Sequence, residues 1–450
     1  MKLKEPASER FLFQLWPTRA FPRSGLKTAD GREILVLEKG VLNTDAGPDF
    51  RDALIVIDGH MRRGDIEIHS RPHFWYSHGH HNDANYNRVI LHVVTGECPA
   101  DFLTKKQNGY GIPVFNLDSV LEKSAEQLET EETVSILRET IRICPLQKFD
   151  SEKKREFIRQ AGLNRLKIKA DRHKELREND DWDQIFYKSL CQTLGYSKNS
   201  TAFLKLAQNC SFGKLRAAII SESQETPVDV SQACLFGTSG LLPAKPTHPQ
   251  VRQMHAIWNR LESEFSSLSA SEWIFFRLRP QNFPTRRIAG LASLLLRFRA
   301  SGFVDSVLPF IKALNRHPAK CLKEIAALFL VEPFGYWQDH YHFTSDANLR
   351  GKKSLHLIGK EKSRDIVINT VFTVLYGLAR EQDDQRLEHM ILELYLLHPT
   401  PGNNHISDYM IDLICSSEEK NAALFQSACF QQGMIQIYKN YCCRNRCPCF

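Results

Sequence analysis

No stretch of about 18 consecutive apolar residues occurs in this 450-residue chain, so no membrane-spanning helix is expected. No secretory signal is legible either. The opening MKLKEPASERFLFQLW starts basic, but acids interrupt it, and neither a long apolar stretch nor a small-residue cleavage site follows. No fixed-period repeat is found, which argues against a solenoid or propeller. A strong charge bias is missing too. The formal net charge is +7, from 59 basic and 52 acidic residues, which permits an anionic partner without requiring one. What remains is the composition of a globular protein, 42% hydrophobic and 25% charged. The length calls for two or three domains. The cytoplasm is the expected compartment, and most of the twelve cysteines are read as reduced, buried thiols.

The texture of the chain changes near residue 124. Before it, the pattern is mixed. Ser8 is a plausible N-cap for a helix over the apolar-spaced Glu9–Trp16. Strands are expected at Glu33–Leu37, Ala53–Ile57, Gly64–His69 and Val89–Val94, with a polar helical or loop segment from His78 to Arg88. After residue 124, long amphipathic stretches such as Glu152–Arg177 and Asp384–Leu397 have helical periodicity and few β-branched residues. The expected fold class is therefore an α+β N-terminal domain (residues 1–123) followed by a larger all-α domain (residues 124–450).

Chemistry concentrates between Asn43 and Val94. Asp49 follows a Gly-Pro turn, and Asp65, Glu67 and His69 alternate with Ile66 and Ile68. Residues two apart on a strand share a face, so the three polar side chains point one way. Asp49, ahead of the neighbouring strand, is placed to bring its carboxylate near Glu67. Two carboxylates at one point suit Mg²⁺ or Mn²⁺. Such an ion activates water and stabilises charge on a phosphodiester. Six of the 17 histidines fall between His69 and His92. With Asp83, the segment His78-Gly79-His80-His81, together with His69, His73 and His92, offers a second chemistry, a Zn²⁺ or Fe²⁺ hydrolase. His92, on an apolar strand, reads more readily as a satisfied core histidine. Trp75 and Tyr76 either stack on a base or cap the core.

The segment resembles the PD-(D/E)XK nuclease-like superfamily, whose core runs helix, strand, strand, strand, helix, strand. Pro48-Asp49 matches the PD element, Glu67-Ile68-His69 occupies the (D/E)-x-K element, and Glu9 matches the acid that many members carry on the first helix. The lysine position holds His69. The resemblance implies a metal-dependent nuclease in which Asp49 and Glu67 hold Mg²⁺ or Mn²⁺ and Glu9 and Asp65 assist. His69 would orient or deprotonate the attacking water. A non-catalytic scaffold that binds nucleic acid or protein and retains the fold is the alternative.

Four cysteines crowd the C-terminal sequence YCCRNRCPCF: Cys442, Cys443, Cys447 and Cys449. Thiolates at this density suit Zn²⁺ or an iron–sulfur cluster, with Arg444 and Arg446 favouring the thiolate. Basic and aromatic residues also mix at Arg277 to Arg287, at Tyr336 to Phe343, and at Lys352, Lys353, Lys360 and Lys362, as a nucleic-acid surface would require. NTDAGPDF, GDIEIH, HGHHNDANYNRVILHVV, RLRPQNFPTRRIA, YWQDHYHF, IVINTV and the cysteine tail together resemble a bacterial family of unknown function, nearly end to end. The tail of that family has a CxxxxCxxC pattern. Here Cys442 and Cys447 fit it, Cys449 comes one place early, and Phe450 stands where the last cysteine would be.

Overall fold

A computed structural model of the chain describes residues 7–17, 21–22, 25–43, 47–99, 102–130, 144–276, 278–313, 317–343, 356–402, 404–415 and 427–442. The chain divides into two compact units, one reaching to Lys148 and the other Phe149–Asn440. The first is built on a β-sheet and the second on helices.

The sheet unit opens with helix α1 (Glu9–Leu15). The Ser8 hydroxyl caps it by accepting from Phe11 N at 3.3 Å. Strands follow: β1 (Leu26–Lys27), β2 (Glu33–Glu38), β3 (Val41–Leu42), β4 (Phe50–Ile57), β5 (His60–His69), β6 (Val89–Val94), β7 (Thr104–Lys105), β8 (Gly111–Ile112) and β9 (Val114–Asn116). Helix α2 (Phe74–Ser77) and two 3₁₀ turns, His80–Asn82 and Ala84–Arg88, bridge β5 and β6. The main sheet runs β1-β2-β4-β5-β6-β9, with β3 added beside β4. β2, β4 and β5 pair antiparallel, whereas β5, β6 and β9 pair parallel. Asp58-Gly59, both at positive φ, close the β4–β5 hairpin; their chemistry suits a two-residue turn of primed type.

Periodicity decides which face is core. Ile66 and Ile68 of β5, Leu91 and Val93 of β6 and Phe115 of β9 are buried with Phe11, Leu12 and Leu15 of α1. The opposite face carries Asp65, Glu67, His69 and His92. It lies under α2 and the two turns, where Trp75, Tyr86, Val89 and Ile112 form a small second core. A bulge in β6 keeps this face continuous: Asp65 aligns with Val89 and Glu67 with His92, while Ile90 is skipped. Gly64 permits it, because a Cβ there would lie 2.6 Å from Arg88 O and 2.5 Å from Ile90 Cγ2.

The second unit contains the long helix α4 (Ser151–Glu175), following a short α3 (Ala125–Thr130), and then α5 (Trp182–Leu194), α6 (Tyr196–Asn209), α7 (Phe212–Ser221), α8 (Pro227–Ser239), α9 (Pro249–Leu261), α10 (Pro284–Phe298), α11 (Gly302–Lys312), α12 (Pro318–Ala327), α13 (Lys360–Ile366), α14 (Phe372–Glu381), α15 (Gln385–Leu397), α16 (His405–Ile414) and α17 (Ala428–Ile437). Side-chain caps start several of them: Asp150, Asp181, Ser211 and Thr226 each accept from a backbone N–H in the first turn. Between α13 and α14 the backbone widens into a π-helical turn, Val367–Val371. Burial pushes the thiols of Cys191, Cys210 and Cys234 upward, so these cysteines stay protonated. Arg286, Arg287 and Lys362 of the anticipated basic surface are buried, with Arg286 donating to the carbonyls of Trp337 and His340. Arg277, Lys352, Lys353 and the tail residues Cys443, Arg444, Arg446, Cys447 and Cys449 lie outside the described residues.

Candidate metal centre

The alternation of β5 sets Glu67 and His69 side by side, with His69 Nε2 3.5 Å from Glu67 Oε1. The crossover after β5 adds a second imidazole to the same oxygen, His80 Nε2 at 3.1 Å. His78 and His80 reach the same side because Gly79 between them takes a left-handed φ of 78°. One ligand atom each from His69, His78 and His80 falls within 4.8 Å of the others. His78 is exposed, whereas the side chains of Glu67 and His69 are only 6% and 2% exposed. The cluster is thus buried at its floor and open at one imidazole.

A chain of hydrogen bonds holds His69. Its Nδ1 is 2.9 Å from His92 Nε2, and His92 Nδ1 is 2.9 Å from Thr104 Oγ1. In the tautomer that makes His69 Nδ1 the donor, Nε2 presents a bare lone pair toward Glu67 and His80. That nitrogen is buried and makes no hydrogen bond among the described residues. Such second-sphere support is typical of metal-binding histidines. Burial, with His92, His80 and His78 nearby, drives the pKa of His69 far below the usual imidazole range. Burial likewise pushes His92 down to about 3. Both rings are neutral at pH 7. His69 therefore cannot supply the positive charge of the lysine whose place it takes.

Asp49 joins from the other side. Its backbone N–H donates to Glu67 Oε2 at 3.0 Å, and its own Oδ2 accepts from Ile68 N at 2.9 Å. These reciprocal bonds lock the Pro48-Asp49 turn onto β5. Burial, followed by the Glu67 charge, raises Asp49 to about 9, with Glu9 adding to the rise. At neutral pH Asp49 therefore carries a proton when no cation is bound, the behaviour expected of two carboxylates pressed together. Asp65 is directed elsewhere: its Oδ1 accepts from Asp52 N at 3.1 Å. Asp52 sits at positive φ in a bulge of β4. Asp65 lines a cavity of about 410 Å³ with Gly47, Pro48, Arg51, Asp52, Asn85 and Arg88. Arg88 reaches Asp52 at 3.5 Å and Asp65 at 3.9 Å.

The other sequence candidates separate. Asp83 caps the second 3₁₀ turn by accepting from Asn85 N at 2.9 Å. His73 is exposed and lies against Phe74, and His81 lies against Tyr76 and 3.0 Å from Asn82. Trp75 is buried and donates to Lys105 O at 2.8 Å. Sequence reasoning gave Thr104 no role. Its signal is weak, a lone threonine 35 residues beyond His69 on a two-residue strand.

Residues 9–404 match the model of a family described as Protein of unknown function (DUF2851). The chain belongs to that family. No curated protein and no solved structure matches the chain. The DUF2851 match covers α1, every strand and both crossover turns, so the whole metal-centre constellation falls inside it.

Proposed function

We propose that this DUF2851 member is a divalent-metal-dependent phosphodiesterase acting on nucleic acid. The ion would be held by Glu67, His69, His78 and His80, with Asp49 beside it. The observation that carries this reading is the lone buried His69 Nε2, aimed at Glu67 Oε1 and close to two further imidazoles. Three imidazoles and a carboxylate suit Mn²⁺, Fe²⁺ or Zn²⁺ better than Mg²⁺, which prefers oxygen ligands and retained waters. An ion of that class lowers the pKa of a bound water and takes up charge at a phosphoryl oxygen.

The chain's own residues supply the rest. Glu67 faces both His69 and Asp49 and so links the nitrogen cluster to the carboxylate pair. His69 is fixed through His92 and Thr104 and serves as a neutral nitrogen ligand or base. Arg51 and Arg88, at the cavity next to Asp49, are placed to hold phosphate. Support for the nuclease-like reading comes from the element order helix, three main strands, short helical crossover, strand, and from the contact between Asp49 and Glu67. The test is cleavage of single- and double-stranded DNA and of RNA with Mn²⁺ as the added metal. Wild type should cleave at least one substrate, and Asp49→Ala and Glu67→Gln should lower the rate by roughly 100-fold or more. Cleavage undiminished in both variants would overturn the reading.

A further inference from the structure

The helical unit buries cations without matching acids. Along one side of α4 stand Arg165, Lys169 and Arg172, spaced four and three residues apart, so they share a face. That face lies against α14, the π-helical turn and α17. Arg165 donates from Nε to Gln432 at 2.7 Å and from Nη1 to Gln436 at 3.1 Å. Lys169 donates from Nζ to Asn369 Oδ1 at 2.6 Å. These partners are neutral amides. Among the described residues no carboxylate lies within salt-bridge distance of either cation.

The nearest acid is Asp365, and it is already engaged. It lies 2.6 Å from Lys362 Nζ and 2.5 Å from Asn369 Nδ2. Arg172 and Lys439, both exposed, add positive charge beside Lys169. Burial, then Arg165, pushes the Lys169 ammonium down to about 7. Amide partners leave donors to spare: Lys169 has three N–H groups and Arg165 five. Both side chains are only partly buried, so an anion can reach the unused donors from solvent. Asn369, which orients Lys169, sits within the π-helical turn, an irregularity often kept at functional positions. Excess buried positive charge is costly unless an anion balances it.

We infer that the groove between α4, the π-helical turn and α17 binds a phosphate group of a nucleic-acid backbone, held between Arg165 and Lys169 with Arg172 and Lys439 at its rim. One turn of helix separates the two inner cations, so one phosphate can take a hydrogen bond from each. The inference stands apart from the metal centre, because no residue of that centre is used. A strand bound here would be a contact additional to any at Arg51 and Arg88.

The experiment measures binding of a fluorescein-labelled oligothymidylate of about a dozen nucleotides by anisotropy, in chelator, so that no cleavage intervenes. Wild type is compared with Arg165→Gln, Lys169→Met and a control, Lys167→Gln, which removes an exposed charge from α4. Each groove variant should bind roughly tenfold or more weakly, and the pair combined should lower the salt slope by about 1.4, at about 0.7 per lost phosphate contact. Lys167→Gln should bind nearly as wild type. Thermal unfolding without anion provides the second readout: Lys169→Met should unfold at or above the wild-type temperature, because a costly buried charge is gone. Wild-type binding by the groove variants overturns the inference, as does an equal loss in Lys167→Gln. Stabilisation of wild type by inorganic phosphate, lost in Lys169→Met but without any oligonucleotide binding, overturns the nucleic-acid assignment in favour of a small anion.

Discussion

Asp49→Asn should make the metal-free protein more stable at neutral pH. The reason is the pair it forms with Glu67. In the folded state Asp49 is raised to about 9, while in the unfolded chain it titrates near the ordinary aspartate value. A carboxyl raised by folding contributes stability below its unfolded pKa and loses it as pH climbs toward the folded one. At pH 7 the loss spans about three pH units, or roughly 4 kcal/mol at 1.36 kcal/mol per unit. Partial exposure and shared titration with Glu67 reduce this to about 2–4 kcal/mol. Asparagine has no proton to manage, and its side-chain oxygen still accepts from Ile68 N. At a few degrees per kcal/mol for a unit of this size, the transition of the sheet unit should rise on the order of 10 °C at pH 7 in chelator. The difference should shrink at pH 5 and grow toward pH 9. Thermal unfolding followed by circular dichroism at the three pH values measures it. A variant less stable than wild type at pH 7, or a gap that does not widen with pH, would refute the argument that these carboxylates are pressed together.

Two further outcomes follow from the same geometry. Thr104→Val removes the partner of His92 and loosens His69 behind it; metal affinity measured by calorimetry should fall about 10- to 100-fold while the sheet unit stays folded. Acid should destabilise the metal-free protein. His92, at about 3 when folded, favours the neutral ring, so stability present above pH 6.5 is lost as pH falls toward 3, by up to about 4 kcal/mol. Urea titrations at pH 7 and pH 5 read this loss. His92→Asn should flatten that acid limb and leave the alkaline limb from Asp49 in place.

Much of the sheet was legible because its strands carry strong local patterns. The Val89–Val94 run reads as a buried strand from its apolar continuity, and it is β6 with those bounds. Alternation from Asp65 to His69 correctly separates the isoleucine face from the polar one. β4 and β5 extend beyond the expected Ala53–Ile57 and Gly64–His69, because the hairpin turn lets exposed, charged residues pair. The two- and three-residue strands β1, β3 and β7–β9 have no periodicity to read; their partners define them.

The centre itself was half legible. Asp49 and Glu67 were assigned from their places on neighbouring strands, and the structure brings them together. The histidine segment offered six candidate rings without a recognisable spacing. What selects His78 and His80 is the left-handed Gly79 and the length of the crossover, which sequence periodicity does not encode. His92 belongs to both readings given it: it is a satisfied buried histidine, and the bond it makes orients His69. The basic residues of the helical unit invert the expectation. Arg286, Arg287 and Lys362 face inward, while Arg165 and Lys169, hidden in an ordinary amphipathic pattern, line the cationic groove.

The central claim is that Glu67, His69, His78 and His80 form a divalent-metal centre. Elemental analysis of purified protein after equilibration with Mn²⁺ or Zn²⁺ and removal of loose ions tests it most directly. The account predicts about one ion per chain in wild type and far less in Glu67→Gln and His80→Ala. A wild-type protein that retains no ion, or variants that retain as much as wild type, would contradict it.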